Sequence, residues 1–102
     1  MKSFDVIGGA AFRDDRPASE LLFDSDDVRI VRFSLKAGQE IKPHTSTSSV
    51  GMLIVSGSGT IGVGDETISG GPGTLAVCPK NVSHGFVAKT DMVLTAFIAP
   101  RP

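Results

Sequence analysis

Apolar positions along this chain fall in short alternating runs, not in helical stripes. Eight segments carry β-branched or aromatic residues: Ser19–Phe23, Val28–Leu35, Val50–Val55, Gly59–Val63, Glu66–Ser69, Thr74–Cys78, Val82–Lys89 and Met92–Ala99. They are bounded by turn signals such as KAGQ, SGSG, GDE, SGGPG and CPKN. Runs of this length and chemistry between such breaks read as strands. Many short strands with frequent turns predict an all-β sandwich or barrel. A parallel α/β sheet needs helical crossovers of ten or more residues, and none is visible. Phe33, Met52, Phe86, Met92 and Phe97 are the expected core or cavity wall.

Length and composition narrow the picture. A chain of 102 residues predicts one domain over 1–102, with residues 1–15 as an N-terminal extension. A net charge of −1 supplies no electrostatic footprint for nucleic acid or an anionic membrane. Six Phe with no Tyr or Trp leave few platforms for base stacking. No apolar run reaches membrane-spanning length, and the opening MKSFDVIGGAAFRDD lacks the apolar stretch of a signal peptide. Neither nucleic acid nor membrane is therefore an expected partner, and a cytoplasmic location is the expectation. The single cysteine, Cys78, makes no internal disulfide and reads as a small buried hydrophobe. The acidic run DSDD at 24–27 lacks the loop glycine and distal glutamate of a calcium loop and reads as a solvated turn.

Spacing carries the specific signal. Gly38 is followed by five residues and then His44, with Ser46, Val50 and Gly57 at fixed intervals beyond. Gly73 is followed by five residues and then Pro79, with Asn81, His84 and Ala88 beyond. This resembles the two motifs of the cupin superfamily, G-x5-H-x-H-x3-E-x6-G and G-x5-P-x-G-x2-H-x3-N. The resemblance runs from about Val28 to Pro100, with the motif region at 28–100. It implies a small double-stranded β-helix, or jelly-roll barrel, with a metal inside where one is bound. His44 then matches the first metal ligand and His84 the last. Ser46 stands in place of the second histidine, Val50 in place of the glutamate, Asn81 in place of a glycine and Ala88 in place of an asparagine.

Strand geometry adds to this. Residues two apart share a face, so His44, Ser46 and Ser48 are expected on one side, with Thr45 and Thr47 on the other. Val82, His84 and Phe86 share a face likewise. If the histidines converge, the ligand pocket comprises His44, Ser46, Val50, His84 and Phe86. Asn81 after Pro79-Lys80 suits a three-residue hairpin turn whose last residue takes positive φ. The glycines at 57, 59, 62 and 64 read as hairpin turns, since no helix follows them to build a phosphate cradle.

The chemistry expected of this pocket is limited by its donors. Two imidazoles and a neutral hydroxyl fall short of the three protein ligands of catalytic zinc or the two-His-one-carboxylate set of iron oxygenases. Glu40 would have to swing inward to help, and Pro43 breaks the parity between it and His44. A divalent metal (iron, manganese, nickel or zinc) is therefore expected to bind weakly, through His44 and His84, if at all. The leading expectation is a small-molecule-binding barrel. The alternatives are a metal-dependent enzyme of dioxygenase or isomerase type and an interaction or sensing module. The resemblance also implies a homodimer, with Phe4, Val6 and Ile7 as candidate contacts.

Overall fold

The computed structural model describes residues 1–102. The expected strands are present, and a ninth joins them. In chain order they are β1 (Ala18–Asp24), β2 (Arg29–Leu35), β3 (Glu40–His44), β4 (Ser49–Ser56), β5 (Gly59–Val63), β6 (Glu66–Gly70), β7 (Leu75–Cys78), β8 (His84–Ala88) and β9 (Met92–Ala99). One antiparallel sheet has the order β1-β2-β9-β4-β7 and the other β3-β8-β5-β6. From β2 to β5 the chain changes sheet at every connection, as it does again from β6 to β9. Two four-stranded sheets wound together in this way make a jelly-roll barrel, with β1 as an added edge.

The unexpected strand is β3, EIKPH. It alternates poorly and contains a proline, both of which argue against a central strand. It is tolerated because β3 is an edge, where a missing N–H faces away from the ladder. Its pairing with β8 slips between Ile41 and His44, so Lys42-Pro43 forms a bulge. The partner of that bulge is Gly85. A Cβ there would stand 2.6 Å from the Ile41 carbonyl oxygen and 2.9 Å from the Pro43 nitrogen, so only glycine fits.

Between the sheets lies one apolar core. Met52 and Ile54 from β4, Met92 and Leu94 from β9, and Leu35 from β2 are fully buried, and Ile61 and Phe86 face them from the second sheet. Each such side chain stabilises the fold by about 1.5–3 kcal/mol relative to exposure. Phe33 meets Phe86 edge to face, with centroids 5.2 Å apart. Phe97 departs from the expected core. It pairs with Gly51 on the opposite, outward face of β9 and is 38% exposed. Met92, Leu94 and Ala96 of β9 enter the core, so two-residue alternation puts Phe97 on the other side.

The N-terminal residues lie on the outer face of the five-stranded sheet. Arg32 is buried there, paired with Glu20, and donates to the carbonyls of Asp5 and Val6 at 3.2 and 3.3 Å. One arginine side chain thus anchors a segment that has no strand of its own.

Candidate functional site

The site starts from register. β3 ends at His44, and His44 lies directly opposite His84 on β8. The ring centroids are 4.4 Å apart and the ring planes are inclined at 58°. His84 is buried and His44 is exposed at the rim. Each ring bonds through Nδ1 to the backbone carbonyl two residues earlier: His44 to Lys42 at 3.0 Å and His84 to Val82 at 3.1 Å. A carbonyl oxygen only accepts, so Nδ1 carries the hydrogen in both rings. Nε2 is then left with a free lone pair on each neutral imidazole.

The opposite wall comes from the first sheet. Val50 on β4 pairs with Cys78 on β7 and Ile98 on β9, which forms a row across the inner face. Cys78 Sγ lies 3.4 Å from His84 Nδ1 and 3.2 Å from the Val82 carbonyl, so this row faces the histidine pair. The thiol donates to a carbonyl, and burial pushes its pKa up, so it stays protonated.

His44, Thr45, Ser46, Thr47, Val50, His84 and Ile98 line one cleft of about 380 Å³. Four of the five expected pocket residues therefore come together: His44, Ser46, Val50 and His84. Phe86 does not line this cleft. It shares the inner face with His84 but is sunk in the core against Phe33. Thr45 and Thr47 were expected to point away, yet they line the cleft. The strand stops at His44, so two-residue alternation no longer applies to the loop that follows. Ser46 Oγ accepts from the Ser48 amide at 3.0 Å, and the Ser46 carbonyl accepts from the Asn81 amide at 2.7 Å, which fixes the loop against the second motif. Glu40 is exposed and lines a different groove with Thr60 and Gly62, which shares His84 with the histidine cleft but not His44.

The motif glycines serve the backbone. Gly38, Gly57 and Gly73 all have positive φ. At Gly57 a Cβ would also fall 2.0 Å from the Asp91 carbonyl oxygen. Asn81 takes φ 65°, the conformation expected of it, though its turn crosses from one sheet to the other and closes no hairpin. Of the four glycines read as hairpin residues, only Gly64 sits in a hairpin, between Val63 and Glu66.

Similarity to known proteins agrees with this architecture. The cupin domain family model matches residues 31–99. The chain belongs to the cupin family. An RmlC-like cupin protein from Desulfovibrio desulfuricans is 35% identical over 98% of this chain and 97% of its own, with a TM-score of 0.91. A Thermus thermophilus protein is 26% identical with both chains covered in full, at a TM-score of 0.94. Salicylate 1,2-dioxygenase from Pseudoaminobacter salicylatoxidans shares the fold at 22% identity and a TM-score of 0.77, over 91% of this chain and 29% of that one. No curated protein matches the chain.

Cupins commonly hold a metal in this position, and the donor set tests whether this chain suits one. The two Nε2 lone pairs suit a borderline cation. No third His, Cys, Asp or Glu joins them. Val50 offers no donor atom, and Ser46 offers a neutral hydroxyl. The residues do not fit a tightly held divalent metal.

Proposed function

We propose that this cupin binds a small, neutral, hydroxyl-bearing molecule in the His44/His84 cleft. The observation that carries the reading is the paired Nδ1 lock. It leaves an acceptor nitrogen on each of two rings whose centroids are 4.4 Å apart, in a cleft also lined by Thr45, Ser46 and Thr47 and the apolar Val50 and Ile98. Adjacent hydroxyls of a polyol or sugar donate to the two nitrogens, while the threonine and serine hydroxyls both donate and accept. No aspartate or glutamate lines the cleft, and Pro102 completes its rim. A cleft of about 380 Å³ is within the range of small-molecule sites. Calorimetric titration with monosaccharides, polyols and small carboxylates tests this. Binding by hydroxylated compounds that disappears in His84→Ala supports it; stronger binding by carboxylates than by their neutral counterparts contradicts it.

A second reading, a metal-dependent enzyme, draws on the same two lone pairs. It lacks a side chain beside them to serve as acid or base. Stoichiometric iron, manganese, nickel or zinc surviving dialysis of untagged protein would favour it over ligand binding alone.

We propose also that the chain pairs with a second copy through the outer face of the five-stranded sheet. Leu75 and Phe97 flank Gly51 there, each within 4.0 Å of its Cβ position, and form a continuous apolar surface. Leu75 is 57% exposed, and Phe4 and Ile7 are exposed on the N-terminal segment.

A further inference from the structure

The barrel is open along one side. β6 and β7 are edge strands of different sheets and share no ladder. Between them lies a second cleft of about 360 Å³, lined by Ile61, Val63, Ile68, Ala76 and Val77 together with one acid, Glu66. Ile61 and Ala76 are buried core residues, so the cleft reaches the apolar interior.

Register places Glu66 with care. Val63 pairs with Glu66 on one side and with His84 on the other. Glu66, Val63, His84 and His44 therefore form one row across the inner face of the second sheet. Glu66 lies two strands from His84, about 10 Å away. Glu66 is exposed at the rim of the cleft, beside its apolar walls, and none of the ion pairs in the molecule includes it. Its chain neighbour Asp65 adds negative charge, and no lysine or arginine lines the cleft.

We propose that the β6–β7 cleft is a second binding site, separate from the histidine cleft, for a primary amine carrying an apolar chain. The alkyl or aryl group would be buried against Ile61, Ile68 and Ala76, and the ammonium would pair with Glu66. Charge complementarity selects this occupant. A neutral apolar group leaves Glu66 without a partner, and an anion meets repulsion.

Amide NMR titrations of the whole protein with hexylamine, hexanol and hexanoate test the assignment. Hexylamine is expected to shift amides of Ile61–Ile68 and Ala76–Val77 and to bind about fivefold or more tighter than hexanol, the scale of a partly exposed ion pair. Glu66→Gln is expected to erase that preference and leave hexanol binding unchanged. His44→Ala is expected to leave all three titrations unchanged. Equal binding of the three compounds, shifts confined to the histidine cleft, or an amine preference that survives Glu66→Gln would overturn the proposal. So would self-association of Glu66→Gln without any amine preference in the wild type, since Glu66 would then serve only to guard a strand edge.

Discussion

At the residue scale, the chemistry rests on which nitrogen carries the proton. The carbonyls of Lys42 and Val82 fix that choice for both histidines. Nitrogen-15 NMR of the imidazoles should show the Nδ1–H tautomer in both rings at neutral pH. The missing donors are equally specific. Ser46→His with Val50→Glu restores a four-donor set, and affinity for zinc or nickel should rise by about two orders of magnitude in competition with a chromogenic chelator. No rise would mean that the two positions do not converge on the histidines. Cys78 gives a pH-dependent readout. Its thiol stays protonated in the fold at a pH where the unfolded chain releases the proton. The stability this contributes is complete below about pH 8.5 and is lost as pH climbs toward the folded value. Denaturation of the wild type should therefore steepen its loss of stability above about pH 8.5, relative to Cys78→Ala. Alkylation of Cys78 in the native protein should be slow at neutral pH for the same reason.

At the element scale, the β3–β8 pair sets the position of His44. The bulge at Lys42-Pro43 restores the register that places the two histidines opposite one another, and Gly85 makes room for it. Gly85→Ala should destabilise the fold by about 1–3 kcal/mol and speed hydrogen exchange in β3. Retained stability and unchanged exchange would mean that the bulge is not pinned by that contact. The turn before β8 is comparable. Asn81→Ala keeps a Cβ at positive φ but loses the short polar side chain that favours that conformation, and should cost about 1 kcal/mol, whereas Asn81→Gly should be close to neutral. The positive φ of Asn81 was readable in advance because turn chemistry is local, whereas the hairpins expected at Asn81, Gly57, Gly59 and Gly62 do not form, because those connections and strands are set by which sheet the chain enters. β3 was not readable, because its pattern holds a proline and three polar residues and its strand character comes from pairing with β8 alone.

At the scale of the whole molecule, the outer surface matters as much as the interior. Sedimentation of the purified protein should show a dimer, and Leu75→Lys with Phe97→Lys should convert it to monomer while leaving the histidine cleft able to bind. A monomeric wild type at high micromolar concentration would remove that proposal. The anchoring of the N-terminal segment is separable. Arg32→Ala should release residues 5–10 to rapid hydrogen exchange, since its contacts to Asp5, Val6 and Glu20 tie the segment to the sheet.

Alternating apolar residues, turn residues and motif spacing were enough, from the sequence alone, to specify an all-β barrel and to pick out His44, Ser46, Val50 and His84. Those features act over a few residues, through side-chain alternation and backbone conformation, so they survive in a linear string. The convergence of the two rings and the sinking of Phe86 into the core were decided by tertiary structure. So were the turning of Thr45 and Thr47 into the cleft, the placing of Phe97 outside and the alignment of Glu66 with the histidines. Each depends on which strand lies beside which, and on where a strand stops. Such pairings join residues tens of positions apart, and only packing of the two sheets selects among them.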